Sequence, residues 1–311
     1  MDLSVVIPIY NEQENIQLLY TRITGVLDKM MISYELVFVN DGSRDRSLFL
    51  IEGLSKNDSR VKYIDFSRNF GHQIAVTAGL DHTIGNRVVI IDADLQDPPE
   101  LIPEMYRKMD DNYQVVYARR RSRKGESFLK KITAKLFYRT LSSITAIDIP
   151  LDTGDFRIVD RKVVDVLKQM PEQQKFLRGQ ISWIGFNQTF IEYDREERHG
   201  GETGYTYKKM FRFAIDGITS FSNLPLKVAS LMGFIVSGVA FTIMLYALYI
   251  RLFHNDYVQG WTSMIISVMF IGGIQLICVG IIGEYISRIS TNIRQRPLYI
   301  TNKTNIDSVK H

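Results

Sequence analysis

The chain is poor in several features that mark common protein classes. It contains one cysteine, Cys278, so an intrachain disulfide is excluded and a reducing compartment suits the protein. No G-x-G-x-x-G phosphate loop occurs, which weakens the case for a dinucleotide-binding protein. Long repeats and low-complexity segments are also missing. The fold class and function of this 311-residue chain therefore have to be inferred from the motifs and patterns that are present.

Charge is absent from two long segments in the last third of the sequence. Residues 228–250 and 261–283 contain no charged side chain, and neither segment stands at the N-terminus as a signal peptide would. A helix of about 23 residues is about 34 Å long, enough to cross a hydrocarbon core of about 30 Å. Two buried helices of a soluble domain have similar composition, but the short connection between these two favours a transmembrane hairpin.

The basic residues around the two spans predict their orientation. The charged residues of the connecting loop are Arg251 and Asp256 alone. Basic residues cluster instead before the first span and after the second span. By the positive-inside rule, both termini and the preceding polar domain are cytoplasmic. The clustered cations are Lys208, Lys209, Arg212, Lys227, Arg288, Arg294, Arg296 and Lys303.

Four segments follow from this pattern. We expect a cytoplasmic domain at residues 1–204, a linking helix at 205–223, the hairpin at 224–286 and a cytoplasmic tail at 287–311. Residues 205–223 combine cations with an apolar stripe, which predicts an amphipathic helix in the membrane interface. An ordinary inter-domain helix is the alternative.

Apolar runs alternate with helix-like segments through the first 91 residues. This alternation predicts an α/β fold with a mainly parallel sheet and helices on both faces. The predicted strands include 3–7, 61–66 and 87–91 and one in "YELVFVN", and the predicted helices are 15–27, 47–54 and 73–84.

Polar segments follow three of these strands and should share the sheet edge where ligands bind in such folds. Asp92 and Asp94 follow the fourth strand, and side chains two apart in an extended segment face the same side. A divalent cation, Mg²⁺ or Mn²⁺, would relieve their repulsion, with Gln96 adding a carbonyl or orienting a metal-bound water. A solvated turn is the alternative. Asp41 offers an acceptor for a ribose hydroxyl or base edge, or else a turn contact.

The chain resembles the GT-A glycosyltransferases of family 2, and in particular the polyisoprenyl-phosphate glycosyltransferases, the group of dolichyl-phosphate mannose synthase and the bactoprenol glucosyltransferases. The resemblance rests on the two spans and on the motifs "VVIPIYNEQENI", "VNDGSRDRS", "IDADLQDPPE" and "TGDFRIVDR". It implies a GT-A Rossmann-like sheet with interfacial helices and a C-terminal two-helix transmembrane hairpin.

The resemblance also implies roles for residues that match the family motifs. The donor-nucleotide residues are Pro8, Tyr10, Glu12, Val39, Asp41, Asp92, Ala93 and Arg198. The metal and diphosphate residues are Asp92, Asp94 and Gln96, and the catalytic residues are Asp94, Arg119 and Asp155. Gly204 stands where the family usually has a lysine, so the cation for the diphosphate is missing or comes from Lys208 or Lys209.

Basic residues in "ARRRSRK" and the segment after it are candidates for binding the acceptor phosphate. We expect Arg119, Arg123 and Lys131 to contact it, although most of these cations also fit a solvated face or a surface near anionic lipid headgroups. Asp155 is expected either to act as a base or to hold a sugar hydroxyl or orient the acceptor. A helix cap is its structural alternative.

The implied reaction is inverting transfer of a hexose, with UDP-glucose favoured as donor, to undecaprenyl phosphate at the bacterial inner membrane. GDP-mannose and other UDP-sugars remain open, as does a non-catalytic nucleotide-binding membrane subunit. A processive polysaccharide synthase needs more spans and a Q-x-x-R-W motif, which this sequence lacks. We also expect a homo-oligomer, with a tetramer as one arrangement, packed through Gly272, Gly273, Gly280 and Gly283. No nucleic-acid partner is expected.

Overall fold

The computed structural model describes residues 1–121, 153–194, 224–253 and 260–306. The chain divides into two compact units. The first combines the N-terminal part of the chain with the residues from Arg296 onward, and the second contains Phe211–Gln295. The residues from Arg296 onward therefore belong to the same unit as the N-terminal part of the chain.

In the described part of the first unit, eight strands form one central sheet in the order β7-β5-β6-β4-β1-β2-β3-β8. The strands are β1 (Leu3–Ile9), β2 (Tyr34–Asn40), β3 (Val61–Phe66), β4 (Arg87–Ile90), β5 (Val115–Arg120), β6 (Thr153–Asp160), β7 (Gln188–Tyr193) and β8 (Thr301–Thr304).

The strands β4, β1, β2 and β3 run parallel, so all four end at one edge, which we term the carboxyl edge. β6 lies antiparallel between β4 and β5, and β7 is parallel to β5. β8 pairs antiparallel with β3 and closes the other side of the sheet. The predicted mainly parallel α/β fold is confirmed.

Helices cover both faces of this sheet. They are α1 (Ile16–Met30), α2 (Ser47–Asn57), α3 (His72–His82), α4 (Ile102–Lys108), α5 (Arg161–Gln169) and α6 (Leu177–Ile184). Alternate residues of β1 serve opposite faces, because Val5 and Ile7 pack in the core formed with α1, α2 and α4, whereas Val6 packs in the core formed with α3, α5 and α6. The central strands β1 and β2 are thus buried on both faces, as their unbroken apolar runs predicted.

The second unit contains two long apolar helices, α7 (Leu224–Phe253) and α8 (Trp261–Ile293). Each is long and apolar enough to cross a membrane, the windows being Leu226–Ile243 and Phe270–Ile293. The spans predicted at 228–250 and 261–283 fall within these helices, and such helices are compatible with membrane association. The amphipathic helix predicted at 205–223 lies outside the described residues.

Candidate active site

The carboxyl edge gathers side chains from both parallel and antiparallel strands. Asp92 follows β4 and His72 begins α3 after β3, so both lie where parallel strands end. β6 runs in the opposite direction and therefore starts at this edge. Its register pairs Arg157 with Ile90, and continuing that register by two residues brings Asp155 opposite Asp92.

His72, Asp92 and Asp155 form a compact cluster. The His72 Nε2 atom lies 3.1 Å from Asp155 Oδ2 and 3.6 Å from Asp92 Oδ1. One ligand atom from each of the three residues lies within 4.8 Å of the others. Asp92 Oδ1 is buried and has no hydrogen-bond partner among the described residues. An imidazole and two carboxylates thus converge on one point at the sheet edge.

Two arginines bind Oδ1 of Asp155, the carboxylate oxygen that does not contact His72. Arg157 Nη2 donates to Asp155 Oδ1 at 3.1 Å and Arg178 Nε donates to the same oxygen at 3.0 Å. The Arg157 side chain is 1% exposed, so water cannot stabilise its positive charge. The Asp155 carboxylate and the carbonyl oxygens of Gly154 and Asp155 stabilise it instead. Asp155 therefore neutralises the charge of the buried Arg157 and forms a second ion pair with Arg178.

The same contacts set the protonation of the cluster. Burial alone would raise the pKa of Asp155, but Arg178, the hydrogen-bonded His72 and Arg157 hold it well below its ordinary value. Burial raises the pKa of Asp92 to about 6, with His72 opposing the rise. Burial lowers the pKa of His72, but Asp92 and Asp155 outweigh it and raise that pKa to about 9.

The cluster has the donor set of a divalent cation site. Carboxylate oxygens suit Mg²⁺ and Mn²⁺, and Asp92 Oδ1, which accepts no hydrogen bond from the described residues, is free to act as a ligand. Asp94 and Gln96, the other two predicted metal ligands, are not part of this cluster. Ala93 and Asp94 form a turn, and Asp94 Oδ1 accepts a hydrogen bond from the Gln96 backbone N–H at 3.2 Å. The extended geometry assumed for Asp92 and Asp94 is therefore not observed, because β4 ends at Ile90.

A cavity of about 410 Å³ opens at the carboxyl edge between the loops that follow β1, β2 and β3. Tyr10, predicted as a nucleotide residue, lines it together with Asn40 and Phe66. Gly42 permits this arrangement because its φ is +65° and a Cβ there would lie 2.5 Å from the carbonyl carbon of Arg68. The volume is within the range of small-molecule sites.

The other predicted nucleotide residues are placed less directly. Asp41 is buried and accepts hydrogen bonds from the backbone N–H groups of Phe70 and Gly71. Burial raises its pKa, and these two donors oppose the rise. Glu12 Oε2 accepts from Asn15 Nδ2 at 2.6 Å. Pro8 lies in β1, Val39 lies in β2 and Ala93 lies in the turn after β4. The side chains of Val39 and Ala93 are buried.

The predicted phosphate-binding residues are only partly described. Arg119 pairs with Glu192 of β7 and its guanidinium lies 3.6 Å from the ring centre of Phe190. Its described contacts are thus on the β7 side of the sheet. Arg123, Lys131, Arg198, Lys208 and Lys209 lie outside the described residues.

Sequence reasoning did not single out His72, Arg157 or Arg178. His72 could have been found, because the loop after the third predicted strand must reach the same edge as Asp41 and Asp92. The two arginines depend on the antiparallel insertion of β6 and on the position of α6, for which the sequence pattern carried no signal.

Comparisons with known proteins agree with these motifs. The model of the family "Glycosyl transferase family 2" matches residues 4–167. The uncharacterized glycosyltransferase YkcC of Bacillus subtilis is 54% identical over 301 residues, which cover 97% of this chain and 93% of that protein. The bactoprenol glucosyl transferase of Shigella phage SfII is 38% identical over 304 residues, 98% of each chain.

Among solved structures, mannosyl-3-phosphoglycerate synthase from Rubrobacter xylanophilus aligns with a TM-score of 0.48 at 16% identity, over 71% of this chain and 73% of that one. The match to the family model spans more than half of the chain, and the two relatives are similar over nearly its whole length. The chain therefore belongs to glycosyl transferase family 2.

Proposed function

We propose that the protein transfers a hexose from a nucleotide sugar to a polyprenyl phosphate, with UDP-glucose as the favoured donor. The observation that carries this proposal is the convergence of His72, Asp92 and Asp155 on the carboxyl edge. The cavity between the β1, β2 and β3 loops lies at the same edge and has room for a nucleotide. Relatives named bactoprenol glucosyl transferase and the two long apolar helices support a lipid acceptor.

Asp92, His72 and Asp155 would hold a divalent cation, Mg²⁺ or Mn²⁺, and the set predicted from the motif, Asp92, Asp94 and Gln96, is the alternative. When bound, such an ion neutralises the charge of a leaving diphosphate.

The acceptor needs little activation by the protein. A phosphate monoester is already anionic at neutral pH, so its oxygen can attack the anomeric carbon without losing a proton to a base. A bond forms between this oxygen and the anomeric carbon, while the bond to the diphosphate oxygen breaks and its electron pair leaves with the nucleotide. Attack from the opposite side converts an α-linked donor into a β-linked product.

Asp155 then serves to orient rather than to deprotonate. Its low pKa keeps it ionised but makes it a weak base, and its Oδ1 is already held by Arg157 and Arg178. A carboxylate fixed in this way can accept a hydrogen bond from a sugar hydroxyl. This role also keeps the buried charge of Arg157 neutralised.

The membrane arrangement is part of the proposal. The basic residues flanking α7 and α8 favour a cytoplasmic location for the domain and both termini, in the inner membrane of a bacterium. We also propose a homo-oligomer packed through the glycines of α8, with a tetramer as one arrangement.

The test uses the purified full-length protein in detergent with undecaprenyl phosphate and Mg²⁺ or Mn²⁺. Labelled UDP-glucose, GDP-mannose and other UDP-sugars are supplied separately, and label entering the lipid fraction is measured. We expect transfer from UDP-glucose, its loss in Asp92→Asn and its retention in Asp194→Asn, an exposed carboxylate at the end of β7. Preferential transfer from another nucleotide sugar would overturn the assignment of UDP-glucose as the donor. Transfer from none of them would refute the proposal.

A further inference from the structure

The loop that follows β4, residues 91–98, reaches strands on the far side of β6. It carries Asp92 near its start and Asp97 near its end, and Asp97 contacts the last residues of β5 and β7. In the sheet order β7-β5-β6-β4, both of these strands lie beyond β6. Three strand spacings separate β4 from β7, which is about 14 Å. The loop therefore crosses the start of β6, the strand that carries Asp155.

Asp97 is held at the end of this loop by one side chain from each of the two strands. The Tyr193 hydroxyl donates to Asp97 Oδ1 and accepts a hydrogen bond from Arg120 Nε at 3.4 Å. Arg120 Nη2 also lies 4.0 Å from Asp97 Oδ1. Arg120 and Tyr193 are register partners at the ends of β5 and β7, so one network joins the loop to both strands.

This network is shielded from water. The side chains of Asp97 and Tyr193 are buried, so water replaces little of their hydrogen bond if it is lost. Burial and the neighbouring Asp97 carboxylate raise the pKa of Tyr193. The Tyr193 hydroxyl therefore keeps its proton at neutral pH and remains the donor to Asp97.

Gly154 brings the start of β6 into contact with the network. A Cβ on Gly154 would lie 3.2 Å from Arg120 Nη2 and 3.7 Å from Asp97 Oδ2, so the network occupies the space beside this glycine. Phe156 packs in the core formed with α1, α2 and α4. Because side chains alternate along a strand, Gly154 faces that core and Asp155 faces the opposite side. The network thus supports the β6 backbone from behind Asp155.

The backbone of the loop is strained between Asp92 and Asp97. Leu95 has a φ of +59°, in the left-handed region that a leucine rarely adopts, and its side chain is buried in the same core. A conformation of this kind persists only where the surrounding contacts enforce it. The buried Leu95 side chain and the Asp97 network are two such contacts, and loss of the network allows the loop to shift.

We propose that Asp97 is a positioning residue for the cluster of His72, Asp92 and Asp155. By holding the loop across the start of β6, it fixes the spacing between the Asp92 and Asp155 carboxylates. This inference rests on the proposed function, because it takes the cluster to hold a divalent cation. Asp97 acts here through the geometry of the ligands and is not itself a ligand.

The test measures Mn²⁺ binding to the purified full-length protein in detergent, from the electron paramagnetic resonance signal of free Mn²⁺. Tyr193→Phe removes the hydroxyl that joins Arg120 to Asp97 and leaves the charge of Asp97 in place. Residues that orient metal ligands change affinity by about 10–100-fold, and since this network acts one step further away, we expect binding about threefold to tenfold weaker.

Tyr34→Phe is the matched control. Tyr34 is 4% exposed and Tyr193 is 5% exposed, and the Tyr34 hydroxyl also donates to a carboxylate, Asp28 Oδ1, at 2.6 Å. Tyr34 begins β2, at the edge of the sheet opposite the cluster. Both variants should melt at a lower temperature than the unaltered protein, but Tyr34→Phe should keep its Mn²⁺ affinity. Binding is measured well below both melting temperatures, so that each variant is fully folded.

A double substitution tests whether Tyr193 acts through Asp97. Asp97→Ala removes both the acceptor for Tyr193 and the charge beside Arg120, so it should weaken Mn²⁺ binding at least as much as Tyr193→Phe. Adding Tyr193→Phe to Asp97→Ala should then change the Mn²⁺ affinity by less than about twofold, because the two residues belong to one network.

The possible results separate this inference from the proposed function. An unchanged Mn²⁺ affinity in Tyr193→Phe would overturn the positioning role of Asp97. An equal loss of affinity in Tyr34→Phe would also overturn it, since the effect would then follow from lower stability alone, and so would full additivity in the double variant. If the unaltered protein binds no Mn²⁺, or binds it equally well as Asp92→Asn, the proposed metal site itself is refuted, and with it the inference.

Discussion

Replacing Asp155 with asparagine should destabilise the protein more than it would if this residue had a catalytic role alone. The change removes the negative charge that Arg157 and Arg178 share but keeps one acceptor oxygen. Arg157 is 1% exposed and Asp155 is 15% exposed, so water replaces little of the lost interaction. Breaking a buried ion pair in this way costs about 3–5 kcal/mol, and we expect about 3 kcal/mol because an acceptor remains.

This loss can be measured as a melting temperature of the full-length protein in detergent. For a domain of this size, about 3 kcal/mol lowers the melting temperature by about 6–12 °C. Asp194→Asn is the control, because Asp194 is 73% exposed and lies 3.7 Å from the exposed Arg121. An exposed pair of this kind contributes about 0–1 kcal/mol, so this variant should melt close to the unaltered protein.

A second substitution separates the buried charge from other effects. Asp155→Asn combined with Arg157→Met removes the guanidinium that the first change leaves unpaired, so the double variant should recover part of the lost stability. Equal melting temperatures for Asp155→Asn and Asp194→Asn would refute the reasoning. A double variant that melts well below Asp155→Asn would also contradict it.

Four further predictions follow from the same geometry. Asp92→Asn should weaken Mn²⁺ binding by at least about tenfold, measured by the electron paramagnetic resonance signal of free Mn²⁺, and unchanged binding would exclude Asp92 as a ligand. Gly42→Ala should lower stability by more than about 1 kcal/mol and weaken UDP binding, because its φ is positive and its Cβ would meet Arg68; a melting curve and a binding titration check this. With metal chelated, the raised pKa of His72 contributes stability that is complete below pH 6.5 and lost as the pH rises through about 9. The melting temperature should therefore fall over this interval, and less so in His72→Gln. A chain ended at Gln295 lacks β8, which leaves β3 as an open edge, and light scattering should show more aggregation than for the full chain.

The sequence pattern was most informative where strands are continuous apolar runs. The strand predicted at 61–66 matches β3, and those predicted at 3–7 and 87–91 differ from β1 and β4 only at their ends. Burial on both faces produces such runs, so the parallel part of the sheet could be predicted. The parallel strands predict a common carboxyl edge, and this edge predicts the position of Asp92.

The remaining features depend on contacts between distant segments. Asp155 reaches the edge because β6 is antiparallel, and no local pattern distinguishes an antiparallel from a parallel insertion at that position. The turn at Ala93 and Asp94 breaks the extended geometry that a two-residue spacing had predicted. β8 has four exposed residues, Thr301–Thr304, and gives no apolar signal at all.

The place of β8 in the sheet affects the order in which the protein can be completed during synthesis. β3 is made early, but its partner strand leaves the ribosome only after α7 and α8 have been translated. Until then β3 has β2 as a neighbour but lacks its second hydrogen-bonding neighbour, and the lining of the cavity lacks Asn302. A nascent chain therefore cannot complete the lining of this cavity before both apolar helices exist, which links maturation of the cavity to synthesis of the second unit.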